Sequence, residues 1–226
     1  MEDFINQLPR QLAYQPSVIH EDRLQPARRF VLCGMGGSHL AGSILQAVAP
    51  SLPLTIHRDY GLPQLAEADL RSSLIILSSY SGNTAEVLSA AAEVARRGLP
   101  SLTITQGGEL LTWANAHHLP YIQLPPSKLP ARLALGWSLL ALLSVVDNPE
   151  KTLRQLVVEA GRQLNPQASE ELGRQLAQTL KAKIPVVYSD AQTWALAYAW
   201  KIKLNETGKI PAFYNVLPEA NHNELA

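Results

Sequence analysis

Residues 74–77 (Leu-Ile-Ile-Leu) form an unbroken apolar run rich in β-branched side chains, the pattern of a strand buried on both faces of a parallel sheet. From residue 85 to 97 the period changes. Val87, Leu88, Ala91, Ala92, Val94 and Ala95 recur at helical spacing among strong helix formers, and Gly98 ends the segment. The same alternation continues on either side. Strands are predicted at 28–33, 54–58, 101–105 and 121–124, helices at 40–48 and 109–117, and a loop or helical turn at 63–70. A leading helix over 2–14 is weakened by Pro9. Strands alternating with helices at this spacing imply parallel βαβ units, so the expected fold class is α/β with a doubly wound parallel sheet. Ligands of such sheets bind beyond the carboxyl ends of the strands, near the point where the strand order reverses.

After residue 124 the pattern shifts. Residues 125–130 (Pro-Pro-Ser-Lys-Leu-Pro) read as a rigid connector, followed by an apolar helix running to residue 146. Asp147-Asn-Pro-Glu150 marks a boundary between two units, 1–149 and 150–226. In the second unit, 150–164 and 169–183 are amphipathic helices, 184–189 a strand, and 191–204 a helix carrying Trp194 and Trp200.

Composition narrows the function classes. Hydrophobic residues make up 46% of the 226 and charged residues 17%, enough apolar material for a proper core. Nineteen basic residues balance nineteen acidic ones, so no net field points to nucleic acid or to an anionic membrane. The single cysteine, Cys33, lies in a strand-like apolar run and reads as a buried, inert thiol. Residues 1–10 contain acidic side chains and no apolar stretch of the signal-peptide kind. The strongly apolar run at 133–146 is shorter than the roughly 18–20 residues needed to cross a bilayer. The expectation is a soluble, cytoplasmic protein.

Two strand–turn–helix junctions carry candidate chemistry. Between the run at 74–77 and the helix at 85 lie the hydroxyls of Ser78, Ser79, Ser81 and Thr84, together with Gly82 and Asn83. Small hydroxyl residues delivered onto a helix N-terminus make an anion site, because free first-turn N–H groups and the positive end of the helix dipole face the anion. The same pattern also describes an ordinary helix cap after a core strand. The second junction, Gly34-Met-Gly-Gly-Ser38, allows close backbone approach at Gly36 and Gly37 and places Ser38 near a helix start. It lacks the spacing of a dinucleotide fingerprint and the lysine of a Walker A loop. Both turns would lie at one sheet edge, which favours a phosphorylated ligand over a plain cap. Arg132, at a helix start where the dipole disfavours cations, is either a solvated residue or a cation aimed at an anionic partner. His117-His118 has no partner motif, and no metal-ligand spacing is present. Asn205-Glu-Thr207 matches a glycosylation sequon by chance in a chain read as cytoplasmic.

Together, Gly34-Met-Gly-Gly-Ser38, Ser79-Tyr-Ser-Gly-Asn-Thr84, Pro130-Ala-Arg132, Asn205-Glu206, Pro211-Ala-Phe-Tyr-Asn215 and Asn221-His-Asn-Glu-Leu225 resemble the bifunctional phosphoglucose/phosphomannose isomerases of the sugar isomerase (SIS) superfamily. The Ser-x-Ser-Gly-Asn-Thr turn marks the superfamily; the Phe-Tyr-Asn and Asn-His-Asn-Glu segments point to this branch. The resemblance implies aldose–ketose isomerisation of hexose 6-phosphates without metal or cofactor. Glu206 would be the proton-shuttling base, His222 the ring opener and Arg132 the cation at the enediolate. Gly36, Gly37, Ser38, Ser79, Ser81 and Thr84 would hold the phosphate. It further implies a homodimer, with His222 serving the neighbouring subunit. Outside the motif, Glu206 reads as a surface carboxylate and His222 as a solvated tail residue. His39 stands where the family usually has glycine, a change expected to crowd the phosphate edge. Family members continue past the Asn-His-Asn-Glu segment, with a lysine and a threonine linked to mannose-phosphate use. The expected architecture is therefore one full SIS subdomain over 1–149 and a partial second one over 150–226.

Overall fold

The computed structural model describes residues 2–146 and 152–224, and its main sheet has five strands. These are β1 (Arg29–Gly34), β2 (Leu54–His57), β3 (Ser73–Ser79), β4 (Ser101–Thr105) and β5 (Tyr121–Gln123), all parallel, in the order β2-β1-β3-β4-β5. Around them lie α1 (Glu2–Ile5), α2 (Leu8–Gln11), α3 (Gly37–Val48), α4 (Glu67–Arg71), α5 (Ala85–Arg97), α6 (Gly108–Ala116) and α7 (Leu135–Val146). The doubly wound parallel sheet expected from the hydrophobic pattern is the sheet observed. Its order reverses between β1 and β3, so the turns leaving these neighbouring strands share one crevice at the carboxyl edge.

Successive strand residues point to opposite faces, and both faces here are apolar. Phe30, Leu32, Leu74 and Ile76 pack with Ala41 and Leu45 of α3 and Leu139, Leu140 and Leu143 of α7. Val31, Cys33, Ile75 and Leu77 pack on the other side against Val87, Ala90, Ala91 and Val94 of α5 and Leu110 of α6. That double covering explains why the run at 74–77 has no polar alternation. Each such buried aliphatic side chain contributes roughly 1.5–3 kcal/mol. Burial, with Glu93 nearby, pushes the Cys33 thiol up to about 12, so it is inert at neutral pH.

Beyond α7 come α8 (Thr152–Gln163), α9 (Glu170–Leu180), β6 (Val186–Ser189), α10 (Trp194–Glu206), β7 (Phe213–Val216) and α11 (Glu219–Asn223). Strands β6 and β7 pair in parallel as a separate two-stranded sheet. Helix α10 packs on this sheet and on α3, where Leu40, Ala199 and Ile202 form a small core. The boundary read at 147–150 lies outside the described residues. Among the described helices, none is long and apolar enough to cross a membrane.

The leading helix is split into α1 and α2. Pro9 occupies the first turn of α2, where its missing N–H is tolerated, but it cannot extend a helix coming from α1.

Candidate active site

Strand β3 carries Ser79 to the carboxyl edge. The Ser79 and Thr84 hydroxyls share a hydrogen bond of 2.8 Å, and the Gly82 N–H donates to Ser79 Oγ at 3.0 Å. The Asn83 N–H donates to Ser81 Oγ at 3.3 Å, and Ser81 itself is exposed. Thr84 is the N-cap residue of α5, yet its hydroxyl turns back to Ser79 and no side chain caps the helix. The first-turn N–H groups of α5 are therefore left for an acceptor from outside, at the positive end of the dipole.

The neighbouring α6 is arranged differently. Its first-turn amides are consumed in holding the β3–α5 turn: Glu109 N–H donates to Asn83 Oδ1 at 3.0 Å and Leu110 N–H to the Gly82 carbonyl at 2.9 Å. Gly82 has φ +74°, and a Cβ there would stand 1.7 Å from the Gly107 carbonyl oxygen.

The β1–α3 turn is stitched to the first. Gly36 caps α3 with φ 50°, and the helix begins at Gly37, so Ser38 lies inside the first turn, ahead of the expected start at 40. Ser38 Oγ accepts from the Tyr80 N–H at 3.1 Å, while Ser78 Oγ donates to the Ser38 carbonyl at 3.2 Å.

His39 does not face the phosphate edge as expected. Consecutive helix residues are rotated by about 100°, which turns the ring into the α3–α10 interface. There Nδ1 bonds Ser43 Oγ at 3.1 Å and Nε2 bonds the Tyr198 hydroxyl at 3.2 Å. Burial and then the Arg58 charge hold its pKa down to about 4, against an ordinary 6.5. As pH falls, the unfolded chain takes up this proton first. The stabilising contribution is therefore complete above about pH 6.5 and is lost between there and about pH 4, to a maximum of roughly 3 kcal/mol. Urea unfolding at about pH 7 and pH 4.5 should show a smaller acid loss in His39→Gln than in wild type; equal losses would contradict the assignment.

Arg132 enters from a 3₁₀ turn (Ala131–Leu133) that Gly37 lets approach: a Cβ on Gly37 would lie 3.1 Å from the Ala131 carbonyl and 3.2 Å from Arg132 Cα. Arg132 Nε donates to Thr207 Oγ1 at 3.0 Å, and its Nη1 is 3.8 Å from Glu206 Oε2. Lys203 Nζ donates to the Arg132 carbonyl at 2.8 Å. Burial holds the Lys203 ammonium below its ordinary pKa, with Glu206 opposing the shift and Arg132 reinforcing it. Glu206 is the last residue of α10, with its side chain 44% exposed against 18% for Arg132. The pair is close without being clamped, so the carboxylate keeps free lone pairs beside a positive charge.

Lys203 and Thr207 are absent from the sequence-based set. Lys203 could have been found one turn before Glu206 on the same helix. Thr207 follows Glu206 directly, but its bond to Arg132 spans 75 residues and leaves no local signal.

His222 is not brought to Glu206: it is exposed on α11, and no hydrogen bond or ion pair joins the two among the described residues. Helix α11 is pinned by Glu224, which accepts from the Tyr188 hydroxyl at 2.9 Å and from the Asn215 amide. Asn205 donates to the Ile210 carbonyl at 2.9 Å and fixes the loop into β7. A groove of about 930 Å³ between α2 and α8 and an apolar one of about 510 Å³ between α1 and α10 lie apart from the β3–α5 turn.

The arrangement thus joins an anion-accepting helix end, through Ser38 and Gly37, to a carboxylate flanked by two cations. Such a site can hold a phosphate and move a proton beside a stabilised oxyanion. Residues 169–226 match the family described as bacterial phospho-glucose isomerase C-terminal SIS domain. The whole fold superposes on tagatose-6-phosphate ketose/aldose isomerase from Escherichia coli with a TM-score of 0.68, covering 98% of this chain and 68% of that one at 19% identity. The protein has the SIS fold.

Within that class, the chain is similar to proteins named bifunctional phosphoglucose/phosphomannose isomerase. It is 34% identical to the Aquifex aeolicus protein of that name over 206 residues, covering 89% of this chain and 62% of the relative. It is also 34% identical to the Caldicellulosiruptor bescii protein over 213 residues, covering 87% and 61%. The chain spans about three-fifths of the length of these curated relatives.

Proposed function

We propose that this protein binds hexose 6-phosphates and interconverts glucose 6-phosphate or mannose 6-phosphate with fructose 6-phosphate. The observation that carries the reading is the uncapped, hydroxyl-lined N-terminus of α5, linked through Ser38 and Gly37 to the Arg132–Glu206 pair. Ser38, Ser79, Ser81 and Thr84, with the backbone at Gly36 and Gly37, hold the phosphate, whose binding energy orients the distant reacting carbons. Glu206 removes the C2 proton of the open-chain aldose. The resulting cis-enediolate carries its charge on O1, where Arg132 stabilises it; a proton then passes from O2 to O1, and Glu206 returns its proton to C1 as the C2 carbonyl forms. Glucose and mannose differ only at C2, and the enediol erases that centre, so one base serves both sugars.

His222 opens the ring from a neighbouring subunit. Its exposure on α11, away from its own Glu206, supports a homodimer. Residues 150–226, with their separate β6–β7 sheet, form a partial second SIS unit, and the protein works in the cytoplasm. The position of His222 is also what favours a second reading, a SIS module that binds sugar phosphate without turnover.

Calorimetry with fructose 6-phosphate tests the site. Each hydrogen bond to the charged phosphate contributes about 1.5–3 kcal/mol, so the Ser81→Ala/Thr84→Ala double variant should bind at least about tenfold more weakly. Unchanged affinity would remove the phosphate from this turn.

A further inference from the structure

The two halves of the proposed site stand on different helices. Helix α3 begins with Gly37 and Ser38, and α10 ends with Glu206. The direct apolar contact between the two helices is slight: Leu40, Ala199 and Ile202, with Ile44, Leu135 and Tyr198 at the margin, while the Arg132 turn packed on Gly37 reaches the end of α10 separately through Lys203 and Thr207. The outer side of α10 is open, with Leu196 60% and Trp200 44% exposed. A small apolar patch resists separation of two helices but sets their relative rotation poorly. Direction must come from a polar contact, and among the described residues the side-chain hydrogen bond from α3 to α10 is the one between His39 and Tyr198.

That bond is well suited to the task. His39 is 1% exposed, and both ring nitrogens are engaged, Nδ1 by Ser43 within α3 and Nε2 by Tyr198 across the interface. The imidazole plane is thereby fixed from two sides, and loss of either partner strands a buried nitrogen. Tyr198 is wedged on its far side against Tyr214 of β7, with ring centroids 5.5 Å apart at 67°. His39 is the chain neighbour of Ser38, and Tyr198 lies eight residues, or about 12 Å, before Glu206 on one rigid helix.

We infer that the His39–Tyr198 bond sets the rotation of α10 against the phosphate turn and so places the Glu206 carboxylate, which makes His39 and Tyr198 positioning residues for the proposed proton transfer. The inference rests on the site reading given above. A rotation of α10 by about 20° would move a side chain at about 6 Å from its axis by about 2 Å. Misplacement by about 1 Å can cost on the order of a hundredfold in rate.

Two substitutions at one position separate positioning from folding. The His39→Gln amide reaches where Nε2 stands and keeps the Tyr198 contact. His39→Asn reaches only the Nδ1 position and keeps only Ser43. Tyr198→Phe removes the hydroxyl and leaves the ring. In His39→Asn and Tyr198→Phe, kcat should fall about 10- to 100-fold with KM for glucose 6-phosphate within about twofold, and the double variant should be no worse than either single. His39→Gln should stay within about threefold of wild type. Equal losses in His39→Gln and His39→Asn, additive losses in the double variant, or losses confined to KM would overturn the inference.

A second readout does not depend on turnover. In hydrogen exchange, glucose 6-phosphate should protect 79–85 and 203–207 in wild type and His39→Gln, but only 79–85 in His39→Asn and Tyr198→Phe. Protection of 79–85 without 203–207 in wild type would overturn the coupling alone. No protection at 79–85 would overturn the site reading, and the coupling with it.

Discussion

Replacing Glu206 with glutamine is expected to lower the turnover of glucose 6-phosphate to fructose 6-phosphate by about two to four orders of magnitude, the range that general acid–base catalysis supplies. Glutamine preserves the shape of the side chain and removes its basicity. Arg132 would keep its bond to Thr207, and its contact with residue 206 is a loose 3.8 Å, so the surroundings have little reason to rearrange. Affinity for fructose 6-phosphate should change by less than about threefold, because the phosphate turn is built by other residues. A coupled isomerase assay, with calorimetry on the same preparations, checks both halves. Equal turnover by the two proteins would show that another group is the base.

The second large effect is expected at Gly82. Its φ of +74° is already unfavourable for any side chain, and a Cβ would stand 1.7 Å from the Gly107 oxygen. No rotamer adjustment relieves a clash with backbone. The β3–α5 turn must therefore move away from the loop after β4, breaking the bonds from Leu110 N–H to the Gly82 carbonyl and from Glu109 N–H to Asn83. Two or more charge-assisted phosphate contacts would go with them. Gly82→Ala should then bind fructose 6-phosphate at least about 100-fold more weakly while retaining the β-sheet signal in circular dichroism. Wild-type affinity in this variant would mean that the ligand does not use the turn.

The parts of this structure that were legible in sequence are those built by local pattern. Helix α5 and strand β4 begin and end at the residues expected, because Thr84, Gly98 and the apolar run at 101–105 punctuate the chain unambiguously. The SIS fold and the similarity to phosphoglucose/phosphomannose isomerases followed from motifs spread along the chain. Strand β7 was not legible. Phe213–Val216 has no alternation of its own and is a strand because β6 supplies a partner more than twenty residues earlier. The direction of His39 was missed for a different reason. Adjacency to Ser38 placed it at the phosphate edge, whereas helical rotation sends its ring to Tyr198, 159 residues away. Lys203 and Thr207 gather around Arg132 only once α3 and α10 are packed, and no spacing in the sequence encodes that meeting.

The central claim is that Glu206 removes and returns a proton at a sugar phosphate held by the β3–α5 turn. Solvent deuterium incorporation tests it most directly. The protein is incubated with glucose 6-phosphate in deuterium oxide, and the C2 proton is followed by nuclear magnetic resonance. Exchange at C2 by wild type, lost in Glu206→Gln while the sugar phosphate still binds, is the result predicted. Binding by wild type with no exchange at C2 would contradict it and leave a sugar-phosphate-binding module without turnover.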